Sequence, residues 1–208
     1  MKKQNGIFIT LEGVEGSGKS SLVPLLVDAL KHDFKKDIYL TREPGGTELS
    51  EDIRNLLFQY HDSMNQRTEL LLFLAARSEL STIIQDEMDK GNIVLADRFM
   101  DSTFVYQGML NNLGINLVQK MNNFATKDLE PTHTFVLLIS YEESVSRLAG
   151  RSDNGKYDEL DRDGFYQIYH GYEKLAEMFP NRIHIIDGAQ TQSEILKEIL
   201  NIISSEHA

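Results

Sequence analysis

A short apolar stretch, Gly6-Ile7-Phe8-Ile9-Thr10-Leu11, runs almost directly into Gly13-Val14-Glu15-Gly16-Ser17-Gly18-Lys19-Ser20. No other feature of this 208-residue chain restricts its fold so narrowly. The β-branched and aromatic run reads as a buried strand, and Lys19 to about Lys31 reads as a helix. Between them, the spacing G-x-x-x-x-G-K-S makes a loop whose backbone N–H groups turn inward at a helix start. Gly13, Gly16 and Gly18 permit that curl, because glycine accepts backbone angles that other residues resist. Gly13, Val14, Glu15, Gly16, Ser17, Gly18, Lys19 and Ser20 are therefore the candidate cradle for a nucleotide's phosphates. Lys19 would reach the β and γ phosphates, and the Ser20 hydroxyl could ligate Mg²⁺. Two features sit uneasily here. Glu15 puts a carboxylate inside an anion cradle, and Pro24 removes a backbone donor from the helix, predicting a kink or a local adjustment.

The rest of the chain alternates in the same way. Ile38 to Thr41, Ile93 to Asp97, Phe135 to Ile139 and Ile183 to Asp187 read as further strands. Leu49, Ile53, Leu56 and Leu57 have helical spacing. A long helix is expected from Thr68 to about Lys90, stopped by Gly91, and a last one around Ile195 to Ile203. This β-α-β-α order predicts an α/β fold: a mostly parallel central sheet of about five strands with helices on both faces, in three layers. The length and the 41% hydrophobic content suit one domain spanning 1–208. Residues 151–160 are polar and aperiodic, and read as a surface loop long enough to move.

Charge narrows the partners. A net charge of -11 makes the chain a poor grip for a nucleic-acid backbone or an anionic membrane, so its basic residues must act locally. The absence of cysteine excludes disulfides and thiolate metal sites and fits a reducing cytoplasm. No apolar segment approaches the length of a membrane span, and Ile7 to Leu11 is too short for the apolar core of a signal peptide. Small-molecule partners and a cytoplasmic location are expected.

Several residues gather at the carboxyl ends of the strands, where open α/β sheets bind ligands. Asp97 ends an apolar strand and is positioned to hold Mg²⁺ directly or through water. Arg98 follows it, and Arg42 ends the second strand before Pro44-Gly45-Gly46. Either arginine alone could be a solvated surface charge, but two on two strand ends near a glycine loop point to a phosphate clamp. Phe73 and Arg77 are four apart and share a helix face. They read either as a core ring with an outward-snorkelling arginine or as a pocket that stacks on a base and reads its edge. The segment Asp101-Ser102-Thr103-Phe104-Val105-Tyr106-Gln107-Gly108 could supply further walls. There Gln107 both donates and accepts, as the N–H and C=O edge of a pyrimidine requires. Arginines flank the polar loop at Arg151 and Arg162, where a closing loop could deliver one to a transferring phosphoryl group.

Taken in order, these motifs resemble those of the bacterial thymidylate kinases, P-loop nucleoside monophosphate kinases, over nearly the whole chain. Arg42-Glu43-Pro44-Gly45-Gly46 resembles that family's signature loop, Phe73-Leu74-Ala75-Ala76-Arg77 its base-binding helix, and Asp97-Arg98 through Tyr106-Gln107-Gly108 its third signature. Leu160-Asp161-Arg162 resembles the end of its lid, placing the lid at about 150–162. The resemblance implies a P-loop NTPase fold, ATP as donor with Mg²⁺, phosphorylation of dTMP to dTDP, and a homodimer. It implies that Arg42 and Arg98 hold the acceptor phosphate, and that Phe73 stacks on thymine. Arg77, Thr103 and Gln107 would read the base edge, with Ser102 nearby. Tyr106 would press on the sugar near C2′, and Glu15 would contact the sugar and acceptor side. Because the loop carries no arginine, the lid-arginine design is implied, with Arg151 the candidate and Arg147 in reserve beside catalytic Lys19, Arg42 and Arg98. Another pyrimidine monophosphate kinase is the alternative. A GTP-hydrolysing switch is disfavoured, since no Asn-Lys-x-Asp sequence is present.

Overall fold

A computed structural model describes residues 6–149 and 161–207. Five strands form one parallel sheet in the order β2-β3-β1-β4-β5: β1 (Ile7–Gly13), β2 (Ile38–Arg42), β3 (Ile93–Asp97), β4 (His133–Leu138) and β5 (Ile183–Asp187). Eight α-helices accompany it among the described residues: α1 (Lys19–Phe34), α2 (Glu48–Gln59), α3 (Gln66–Asp89), α4 (Met100–Thr103), α5 (Ile115–Thr126), α6 (Tyr141–Leu148), α7 (Arg162–Met178) and α8 (Gln192–His207). A π-helical segment, Phe104–Leu110, continues α4.

Strand alternation assigns the two faces. Ile7, Ile9 and Leu11 of β1 pack with Leu22, Leu26 and Leu30 of α1 and Ile195, Ile199 and Ile203 of α8. Phe8 points to the other face, into a cluster that includes Leu80 and Ile84 of α3, Phe104 and Val105, and Ile168, Tyr172 and Leu175 of α7. Thr10 and Glu12 follow Phe8 in the same alternation, so two polar side chains are carried into the buried face beneath α4 and α7. The expected three layers are thus present, and the strand ends that carry Gly13, Arg42 and Asp97 lie along one edge of adjacent strands.

Helix ends follow local chemistry. Asn65 caps α3 by accepting from the Arg67 and Thr68 amides, which starts the helix two residues before the apolar periodicity does. Thr47 accepts from the Ser50 amide at the start of α2. Pro24 lies inside α1, which nevertheless continues from Lys19 to Phe34. The proline is on the exposed side, so water can meet the carbonyl that it leaves without an amide donor. β4 begins two residues earlier than the apolar run indicates, because Thr134 pairs with Ile183 and His133 with Ile9.

Leu26 is fully buried between sheet and helix, whereas Leu25 beside it is 39% exposed. Leu26→Ala should lower the unfolding free energy by about 2–5 kcal/mol in urea titrations, and Leu25→Ala by less than about 1 kcal/mol. Equal losses would contradict this packing.

Candidate functional site

The phosphate-type loop closes the carboxyl end of β1. Gly13, Gly16 and Gly18 all have positive φ, and a Cβ on Gly13 would lie 2.1 Å from the Leu137 carbonyl oxygen. No larger residue fits where β1 passes β4. Gly18 is the N-cap of α1, whose first turn carries no acidic residue, so the helix presents its positive end without local competition. The buried Lys19 ammonium donates to the Gly13 and Val14 carbonyls, each at 2.9 Å, and to Ser17 Oγ at 3.2 Å. Burial pulls its pKa down to about 8; Arg98 adds to that, while Glu15, Asp97 and Glu12 oppose it. The ammonium therefore remains mostly protonated at neutral pH.

Glu15 turns out of the cradle. Its Oε1 accepts from Arg98 Nη2 at 2.5 Å and from the Tyr106 hydroxyl at 3.2 Å. Burial would raise this carboxyl's pKa, but the Arg98 and Lys19 charges outweigh burial and hold it below the usual carboxylate value. α6 secures the loop from the far side. Ser144 Oγ donates to the Glu15 carbonyl at 2.8 Å, and Arg147 reaches the Gly16 carbonyl at 3.4 Å and the Gly188 carbonyl at 3.2 Å.

Beyond Glu15 opens a cavity of about 290 Å³. Glu15, Phe73, Arg77, Arg98, Ser102, Thr103, Tyr106 and Gln107, from three separate stretches of sequence, all line it. Arg77 does not snorkel outward: it is 1% exposed. Its Nε and Nη2 donate to Glu43 Oε2 at 2.8 and 2.6 Å, its Nη2 also to Thr103 Oγ1 and the Phe99 carbonyl, and its Nη1 to Asn122. Burial raises the Glu43 pKa and the Arg77 charge opposes it. The pair balances its own charge at the cavity floor, where Thr103 and Gln107 add neutral polar groups that suit a heterocycle's edge. Phe73 is half-buried and packs against Ile53 and Leu57, leaving ring surface on the cavity.

Arg42 stands apart from this cavity. Arg42 does reach the strand end, but its guanidinium is paired with Glu51 of α2 at 2.9–3.0 Å, is 55% exposed, and is not part of the cavity wall. Arg151 lies outside the described residues. Ser20 is exposed at the start of α1, and Asp97, in register with Leu11, is half-buried; both offer oxygen donors beside the loop.

The motifs assign no role to Glu12, Glu69, Arg54 or His61, nor an individual one to Glu43 within its signature loop. The last four line the cavity. Glu12 is fully buried and accepts from the Phe99 amide at 2.8 Å, Ser102 Oγ at 2.5 Å and the Tyr172 hydroxyl at 3.0 Å. A carboxylate at the end of a strand that is mostly apolar is the sequence signal for it.

Comparison with known proteins gives a uniform result. The family described as Thymidylate kinase matches residues 11–199. A thymidylate kinase from Oenococcus oeni is 41% identical over 207 residues, covering 98% of this chain and 96% of that one. One from Bacillus licheniformis is 39% identical over 204 residues, covering 96% and 95%. The crystal structure of thymidylate kinase from Ehrlichia chaffeensis superposes with a TM-score of 0.75 at 31% identity, covering 95% of this chain and 98% of that one.

Glu12 has a measurable consequence. Burial pushes its carboxyl up from 4.5 to about 7, with Arg98 opposing, Asp101 adding, and Ser102 and the Phe99 amide opposing. Between those values the folded protein holds a proton that the unfolded chain has lost, so this group erodes stability as pH rises from about 4.5 to 7. Glu12→Gln should flatten the fall in Tm across that window relative to wild type. An unchanged slope in thermal melts at pH 5, 6 and 7 would contradict the shift.

Proposed function

This chain belongs to the thymidylate kinase family, and on that basis we propose that it transfers the γ-phosphoryl group of ATP to dTMP, yielding dTDP and ADP. The observation that carries the reading is the adjacency of two chemically different sites through one residue. The phosphate cradle and a base-sized cavity share Glu15.

The chemistry follows from the groups present. A nucleotide monophosphate has a second pKa of about 6, so its oxygen is already ionised at neutral pH and attacks the γ-phosphorus without a general base. The bond from γ-phosphorus to the β–γ bridging oxygen breaks, and that oxygen leaves on ADP. Little bond chemistry is left for the protein, which contributes alignment and charge compensation. Lys19 and the amides of Gly16 to Ser20 bind the donor phosphates. Arg98 binds the acceptor phosphate, and Arg42 joins it by leaving Glu51. Phe73 stacks on thymine, while Arg77, Thr103 and Gln107 meet its polar edge. Tyr106, held by Glu15, packs under the sugar and disfavours a 2′-hydroxyl, and Glu15 accepts from a sugar hydroxyl.

Ser20 and Asp97 fit Mg²⁺, a hard cation that takes oxygen ligands and completes its shell with water and substrate phosphates. Among the described residues no cluster of three or more potential ligands could hold an ion alone, which agrees with a cation that arrives with the nucleotide. When bound, Mg²⁺ would neutralise phosphate charge and orient the donor chain. Arg151 would supply the lid cation, in one domain spanning 1–208 with a lid at about 150–162. Arg147 is already engaged beneath the cradle, which favours Arg151 for that role. A homodimer is proposed from the family. It is supported by Leu71, Leu117 and Phe124, exposed on α3 and α5, two helices that pack together. No described helix is long and apolar enough to cross a membrane, and with the absence of cysteine this supports a cytoplasmic location.

A coupled ADP-release assay across dTMP, dUMP, dCMP and GMP tests the reading. Turnover should be strong with dTMP and at least about 100-fold weaker with dCMP, whose amino group stands where the polar edge formed by Arg77, Thr103 and Gln107 would meet a carbonyl. Strong turnover with dCMP or GMP and none with dTMP would overturn it.

A further inference from the structure

Arg98 has an awkward backbone. It follows β3 at φ +70°, in the left-handed region that a residue with a side chain rarely occupies. Such a conformation costs of order 1–3 kcal/mol and persists only when its surroundings impose it. Here the imposing group is a carboxylate from a different strand. Glu12 Oε1 accepts the Phe99 amide at 2.8 Å and the Ser102 amide at 3.3 Å, pinning the turn that leaves Arg98. The Arg98 amide itself donates to the Leu11 carbonyl at 3.0 Å.

The other oxygen of Glu12 organises the side chain. Ser102 Oγ donates to Glu12 Oε2 at 2.5 Å, and the Tyr172 hydroxyl donates to it at 3.0 Å. Arg98 Nη1 in turn donates to both hydroxyl oxygens, at 3.0 Å to Ser102 and 3.4 Å to Tyr172. Direct contact between Arg98 Nη1 and Glu12 Oε2 is only 4.0 Å. Each hydroxyl therefore donates to the carboxylate and accepts from the guanidinium. On its other side the guanidinium gives one Nη2–H to Glu15. A guanidinium has five N–H groups. The Tyr106 ring also lies against the guanidinium, 5.4 Å from its centre, so the anchored face is turned to protein groups and the rest of the fork to the cavity that Arg98 lines.

We propose that Tyr172 is a positioning residue for the acceptor phosphate: with Ser102 it relays the Glu12 carboxylate to Arg98 and so fixes which edge of the guanidinium is presented to the phosphate. The placement of Tyr172 explains its reach. It lies in α7, fully buried, with its ring in the core against the sheet face that also carries Glu12. The hydroxyl is the part of this side chain that the packing does not need. This role rests on the reading of the chain as a kinase of dTMP.

Tyr172→Phe keeps the ring and removes only the relay. In steady-state kinetics it should raise the KM for dTMP about ten-fold while the KM for ATP stays within about two-fold, the loss expected for one hydrogen bond to a charged group. Glu12→Gln should produce the same split, and it decides the matter if Tyr172→Phe does not fold. A dTMP KM within two-fold of wild type in the folded variants, or parallel rises for both substrates, would overturn the proposal. Wild-type turnover of dTMP in the same assay reports separately on the kinase reading.

Discussion

Arg98 is enclosed by carboxylates, and the site is arranged around that enclosure. Glu15 holds one side of the guanidinium directly, and Glu12 holds the other through two hydroxyls. Both glutamates come from the end of β1 and the loop that follows it, while Arg98 comes from the end of β3, the neighbouring strand. The parallel pairing of these strands therefore sets the distance between the glycine loop and Arg98. A shift of register between β1 and β3 would separate the two. The buried cation that results is well compensated, and its pKa lies above the usual value because the surrounding anions outweigh burial.

This arrangement also accounts for how an acidic protein can manage two polyanionic substrates. The net charge of -11 is spread over the whole chain, whereas Lys19 and Arg98 are concentrated at one sheet edge. Both cations are held by protein groups: Lys19 by the carbonyls of its own loop, Arg98 by the relay. Arg42 is likewise paired, with Glu51. Cations held in place lose less side-chain entropy on meeting a phosphate than free ones would. Away from this edge, the buried Arg77 charge on the cavity wall is balanced internally by Glu43.

What could be read in the sequence was what is encoded locally. The cradle needs only glycines at fixed offsets before a helix, and strand alternation needs only periodicity; both appear where expected. The Phe73 and Arg77 pair was legible as a shared helix face, but not the choice between its two readings. That choice depends on Glu43, thirty-four residues away, which draws the guanidinium inward. Glu12 and Tyr172 are 160 residues apart, and each looks locally like a strand or core residue. Their meeting depends on α7 crossing the face of the sheet, which no local pattern states. Arg42 was placed at the correct strand end, but its pairing with Glu51 is a matter of side-chain conformation. Arg151, the candidate for the lid arginine, lies outside the described residues.

The central claim is that Glu15, although it lies within the donor cradle, serves the acceptor. Titration calorimetry on Glu15→Gln, with dTMP and ATP measured separately, tests it most directly. The account predicts that dTMP affinity falls at least about ten-fold while ATP affinity changes by less than about three-fold, because a charge-assisted hydrogen bond to Arg98 is weakened and the backbone cradle is left intact. Equal losses for the two nucleotides would contradict it.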